Sequence, residues 1–179
     1  MELETRVMPH AIDAEKAILG AVLVSPETAW PTIATALRGA DFFREAHKVI
    51  HAAFSALASR GVPIDALTVR EELRRTGQLD ECGGQAYLMS LTDGVPRSMN
   101  VSYYAEIVIE KARLRAAIVS ANAVLASAYE AEQPAAQVIE AGIRSLLATS
   151  VQVAGGPVLI SAAVNDYMQS MDTPEGQGV

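Results

Sequence analysis

Apolar positions along the chain recur at helical spacing almost throughout, and nowhere alternate with period two for long enough to predict a strand. The segment IDAEKAILGAVLVSP gathers Ile18, Leu19, Val22 and Leu23, with Asp13 expected as N-cap, Glu15 in the first turn, and Ser25-Pro26 as the stop. Pro26 at a first helical position then opens an element through Trp30, Ile33 and Leu37, which Pro31 could divide into a turn and a helix before Gly39 ends it. Phe43, His47, Ile50, Phe54 and Leu57 follow at steps of 4, 3, 4 and 3, and Gly61 sits where a C-terminal cap belongs. Asp65 is expected to cap a further helix carrying Leu67, Arg70, Leu73 and Arg74, with Glu71 and Arg75 paired one turn apart, before Gly77. A short apolar helix around Ala86 to Leu91 precedes a turn at DGVPRSMN.

The pattern then lengthens. Asn100 can cap VSYYAEIVIEKARLRAAIVSANAVLASAYE, a run of some thirty residues, where three or four turns are usual for a globular helix. Leu114, Ile118, Ala121, Leu125 and Ala128 form a seam in its later part, and Pro134 breaks it before Ile139, Ile143, Leu146 and Ser150 repeat the same steps. The two runs predict an antiparallel helical hairpin. Its other faces hold Ala117, Ala123, Ala126, Ala135 and Ala141, small side chains that let another helix approach closely, so a second copy of the chain is the expected cover. Gly155-Gly156-Pro157 and the closing TPEGQGV isolate a short helix with a stripe of Ile160, Val164, Tyr167 and Met171, which needs a partner because a dozen residues are marginal alone in water. The fold class is therefore all-α: a compact helical head, an antiparallel hairpin and a short amphipathic linker helix.

Composition narrows what such a chain can do. Its 179 residues are half hydrophobic, enough for a real core. With 14 Lys+Arg against 21 Asp+Glu the net charge is -7, which repels phosphate backbones, so strong DNA binding by this chain alone is not expected. Residues 1–115 hold 15 acids and 13 bases, net -2, whereas 116–179 hold 6 and 1, net -5. The single Cys82 excludes an internal disulfide, and neither a signal-peptide core nor a membrane-length apolar run is visible, so a soluble, cytoplasmic protein is expected.

The candidate chemistry centres on AHKVIH, where His47 and His51 stand four residues apart on one helix face, as in some zinc enzymes. The residue after the first histidine is Lys48, where that chemistry needs a glutamate as general base, and no spacing nominates a third ligand among His10, Cys82 and the carboxylates. A helical wheel instead puts His47 beside Phe54 near the apolar centre and His51 at its rim, which predicts a partly buried, hydrogen-bonded His47 and a surface His51. None of Lys16, Lys48 and Lys111 follows a glycine, so no phosphate-binding P-loop is present. Glu71-Glu72 and Asp80-Glu81 read as solvated charge, Cys82 lacks a neighbouring base, and Lys111 with Arg113 and Arg115 reads as a salt-bridged helix surface.

Taken in order, PHAIDAEKAILGAVL, ADFFREAHKVIHAAFSAL and GVPIDALTVREELRRTGQLDECGGQAYLMSLTDGVPRSMNVSYYAEIVIEKARLR strongly resemble the N-terminal domain of DnaB-type replicative DNA helicases, and the resemblance runs over nearly the whole chain. His47 falls where the family pattern has a histidine. The resemblance implies a disordered tail at 1–7, a helical head at 8–112, a hairpin at 113–151 and a linker at 152–179 with its helix at about 158–171. It implies homodimers arranged as a trimer of dimers in a hexameric ring. It further implies binding of the primase C-terminal domain and, in some systems, of a helicase loader, and docking of the linker helix on the ATPase domain of the neighbouring subunit. Family members continue into that ATPase domain, which holds ATP and magnesium, so ATP-dependent unwinding would belong to the whole protein and this chain would have no cofactor and no catalytic residue of its own. Two other readings of the residues stay open: a stand-alone helical adaptor or loader, and a metal hydrolase using His47 and His51.

Overall fold

The structure, a computed structural model, describes residues 7–93, 95 and 100–151. Among them there are seven α-helices, α1 (Ile12–Val24), α2 (Pro26–Ala36), α3 (Glu45–Ser59), α4 (Ala66–Arg75), α5 (Gly84–Ser90), α6 (Val101–Glu130) and α7 (Ala135–Val151), with a short 3-10 turn at Gly39–Asp41 and no strand. The chain divides into two compact units with the boundary after Arg115, inside α6. The expected linker helix, with Ile160, Val164, Tyr167 and Met171, lies outside the described residues, as do the 1–6 tail and most of the DGVPRSMN turn.

In the first unit α1 packs on α2 and α3, α3 on α4, and α4 on α5. The apolar stripes meet in one core, whose largest fully enclosed side chains include Phe42, Phe54, Ile18, Leu19, Ile33 and Ile50. Burying each such side chain contributes roughly 1.5–3 kcal/mol. Ala105 and Val108 bring the first half of α6 into the same core. Gly20 marks the tightest crossing: a Cβ there would stand 2.0 Å from the Leu91 carbonyl oxygen, so only glycine lets α1 approach the end of α5.

Local signals were legible to different degrees. Asp65 caps α4 by accepting the Leu67 and Thr68 N–H groups while the Thr68 hydroxyl accepts the Asp65 N–H, a reciprocal capping box. Gly61, at φ 67°, closes α3: its N–H reaches the Ala58 carbonyl and the Val62 N–H the Leu57 carbonyl. Asn100 caps α6 through the Tyr103 N–H at 3.1 Å. Asp13, by contrast, is not a cap. The Glu15 N–H reaches the Ala11 carbonyl at 3.0 Å, so α1 starts earlier and Asp13 falls inside its first turn. Pro31 does not divide α2, because it removes one N–H from a helix otherwise supported on both sides; Leu37, extended, ends that helix and Gly39 opens the 3-10 turn instead. Phe43 precedes α3 rather than opening it.

In the second unit, the remainder of α6 and α7 run antiparallel: the Ser120 and Ser145 hydroxyls lie 2.8 Å apart, and Gly142 abuts Val124, where an added Cβ would meet Cγ2 at 2.6 Å. Small side chains thus form the inner seam, with Ser120, Val138 and Gly142 buried. This corrects the expected intramolecular seam. Leu114, Ile118, Leu125, Ile139, Ile143 and Leu146 are all exposed, because the helices meet through positions roughly a third of a turn round from the large apolar side chains.

Candidate functional site

His47 is fully buried, and both its ring nitrogens are engaged. Nδ1 lies 2.6 Å from Glu15 Oε2, and Nε2 lies 2.6 Å from the Tyr87 hydroxyl, which also accepts from Arg44 Nη1 at 3.2 Å. Glu15 sits on the buried face of α1, and its carboxylate further accepts the Phe43 N–H at 2.8 Å and the Arg44 N–H at 3.4 Å. Burial would raise the Glu15 pKa, but the hydrogen bonds from His47, Phe43 and Arg44, together with the electrostatic attraction of His47, outweigh it and hold the carboxyl below its usual range. The network therefore ties α1, the start of α3 and α5 together. Tyr87 and Arg44 reach a cleft of about 260 Å³, also lined by Glu45, Ala46, Glu81, Cys82 and Gly83.

His51 departs from its expected surface position, being only 7 % exposed. Its ring packs against Trp30 and Phe42, with centroids 5.5 and 5.4 Å away, because α2 and the turn before α3 fold over what the wheel of α3 alone shows as a rim. Burial lowers its pKa, with Asp41 opposing the shift. The two histidines are thus neighbours in sequence with separate environments, and His47 has neither nitrogen free for a metal. Among the described residues no group of three or more His, Cys, Asp and Glu is placed to hold one. The Cys82 thiol is enclosed, and burial first, then Glu81, pushes its pKa up to about 11, away from a nucleophilic thiolate.

The charged residues sort differently from their sequence pairing. Glu71 pairs with Arg70 and Arg74 rather than Arg75, while Arg75 joins Arg60 on Glu72, at 2.8 and 2.6 Å. The Arg75 and Arg60 hydrogen bonds lower the Glu72 pKa to about 2. Arg115 is not a surface salt bridge but donates to the Pro9 and Asp41 carbonyls and lies over the Phe43 ring, 5.6 Å from its centroid.

The hairpin presents the other candidate site. On α6, Ile118 and Leu125 lie about 130° round the helix from the inward Ser120 and Val124; on α7, Ile139, Ile143 and Leu146 lie about 90° from Val138 and Gly142. The sense of rotation is the same on both helices. Since the helices are antiparallel, both stripes fall on one side of the hairpin and make a single exposed apolar face, of which Leu125 is 54 % and Ile143 55 % exposed.

Residues 7–110 match the family model of the DnaB-like helicase N terminal domain. The chain belongs to the DnaB-like helicase family. It is 39% identical over 145 residues to the replicative DNA helicase DnaB of Geobacillus stearothermophilus, covering 81% of this chain and 32% of that one. It is 40% identical over 124 residues to DnaB of Mycobacterium leprae, covering 69% and 20%. The N-terminal domain of DnaB helicase from Mycobacterium tuberculosis superposes with a TM-score of 0.74 at 36% identity, over 79% of this chain and 99% of that one. A DnaB-like replicative helicase studied for its interactions with primase shares the fold at TM-score 0.64 and 21% identity, over 93% of this chain and 38% of that one. The chain spans about a third or less of the length of the curated relatives it matches.

In this DnaB-like domain, sequence reasoning missed Glu15 and Tyr87. Glu15 had a signal: it shares the spacing of Ile18, Leu19 and Val22, so it is a carboxylate on an apolar stripe and requires a buried donor. Tyr87 had none, because its partners come from residues 40 and 43 positions away.

Proposed function

We propose that this chain is a non-catalytic assembly domain of a replicative helicase ring, in which two copies pair through the apolar hairpin face. The observation that carries this reading is the one-sided stripe of Ile118, Leu125, Ile139, Ile143 and Leu146, exposed in the single chain. Isolated apolar residues on a surface are ordinary, but a continuous face on a thin two-helix unit requires a cover. A second copy supplies the same stripe by two-fold symmetry and closes a four-helix arrangement. Paired domains would form a collar on a trimer of dimers, recruiting the primase C-terminal domain and, in some systems, a loader. The DnaB-like replicative helicase of the same fold, described with its interactions with primase, supports that partner. In this reading the stripe of Ile160, Val164, Tyr167 and Met171 docks on the ATPase domain of the next subunit, and unwinding with ATP and magnesium belongs to a further domain such as the relatives' extra length provides.

Light scattering on the purified chain tests the pairing. The wild type is expected to show twice the chain mass, and Leu125→Glu with Ile143→Glu to show a single mass while the near-ultraviolet circular dichroism of the head is unchanged. A monomeric wild type at high concentration, or an unchanged mass in the double variant, would remove the hairpin face from the reading. Calorimetric titration with the primase C-terminal domain then tests recruitment, for which no measurable heat with the paired wild type would count against the collar role.

A further inference from the structure

The hydrogens of the buried network can be assigned one by one. Arg44 only donates, so the Tyr87 oxygen accepts from it. Tyr87 has one hydrogen of its own and a nitrogen 2.6 Å away, His47 Nε2, to receive it. His47 Nδ1 then carries its hydrogen toward Glu15 Oε2, which as a carboxylate can only accept. Every donor finds one acceptor, in the order Arg44, Tyr87, His47, Glu15.

We propose that these four residues form a directional latch that holds His47 as its neutral Nδ1–H tautomer, and that a second proton on His47 opens the latch at Tyr87, freeing α5 as a wall of the cleft. A proton on Nε2 would point at the phenol oxygen that already accepts from Arg44. The Tyr87 hydrogen must then leave the line between the two atoms, and two cations face one oxygen. The groups around the imidazole set this asymmetry: Glu15 from α1 faces Nδ1 and stabilises either form, Arg44 ahead of α3 acts through Tyr87, the Phe42 ring edge is apolar, and Tyr87 from α5 is the one partner whose role reverses. Glu45 and Glu81 line the cleft and can accept the released phenol hydrogen. Helix α5 is short, seven residues, and begins at Gly83-Gly84, both at positive φ; Leu88 anchors it in the core, Arg70 reaches Gln85 at 3.4 Å, and the Tyr87 hydroxyl is its tie to the buried network.

Nitrogen-detected imidazole spectra of the labelled chain, with amide-exchange protection factors followed from pH 8 to pH 5, test the latch. His47→Gln assigns the His47 signals by their loss. At pH 8 His47 is expected as the Nδ1–H tautomer; as it takes up a proton, protection of Gly84–Ser90 should fall roughly three- to ten-fold, the scale of one hydrogen bond between uncharged groups, while α1 and α3 stay protected. Tyr87→Phe should show the low α5 protection already at pH 8 and lose its pH dependence, with α1 and α3 again unaffected. An Nε2–H tautomer or an imidazolium at pH 8 would overturn the assignment. The switch would be overturned by His47 taking up no proton before the head unfolds, or by an equal pH response of α5 in Tyr87→Phe.

Discussion

The head and the hairpin are built from the same kind of sequence and solve burial in opposite ways. In the head, five short helices and part of α6 enclose side chains such as Phe54 and Ile50 completely, and even the Glu15 carboxylate and the His47 imidazole are paired inside. In the second unit the helices touch through Ser120, Val124, Gly142 and Ser145 and leave their large aliphatic residues in water. Two helices have a single mutual contact line, whereas five or more can surround a volume. A domain that closes its own core is stable alone; a hairpin that places its smallest residues inside leaves the larger ones exposed.

Truncation separates the two regimes most strongly. Phe54→Ala should lower head stability by about 3–5 kcal/mol in urea unfolding, whereas Leu125→Ala should change the unfolding of a dilute monomer by less than about 1 kcal/mol and weaken self-association instead. Similar losses at both sites would mean that Leu125 is buried within one chain. Gly20→Ala and Gly142→Ala sharpen the contrast. The first drives a Cβ into the Leu91 backbone and is expected to cost about 3 kcal/mol; the second meets a valine methyl, and the gain in helix propensity of about 1 kcal/mol leaves a net loss near 1 kcal/mol or below. Equal melting shifts for the two variants would break the comparison.

The smallest effect is electrostatic and belongs to the head. His51 has its pKa lowered on folding, so its contribution to stability is full above its unfolded value of 6.5 and is lost as pH falls below it, because the unfolded chain takes up the proton first. Glu15, also lowered, adds a second loss as pH falls below 4.5. His51→Leu should flatten the decline in melting temperature between pH 7 and pH 5 and leave hairpin pairing untouched; an unchanged slope would show that His51 carries no proton linkage.

Helix starts and stops were readable where one residue acts on its own backbone. Asp65, Asn100 and Gly61 serve as caps in the positions their local sequence predicts, since a side chain two or three residues away, or a positive φ, suffices. Residues whose partners lie far along the chain were not. His51 looked exposed until α2 and the turn at Gly39–Asp41 covered it, and Arg115 looked like a surface charge until it met the Pro9 and Asp41 carbonyls.

The sequence by itself determined the all-helical class, the long α6, the hairpin and the family resemblance, because period, caps and ordered motifs are local properties of the chain. Tertiary structure alone decided which face of each helix is inner. It buried Ser120, Val138 and Gly142 where the periodic aliphatic residues had been expected, and it assembled Glu15, His47, Tyr87 and Arg44 from three separate segments. The physical reason is shared: a helical stripe specifies that something must cover it, and only the packing of other elements specifies what does.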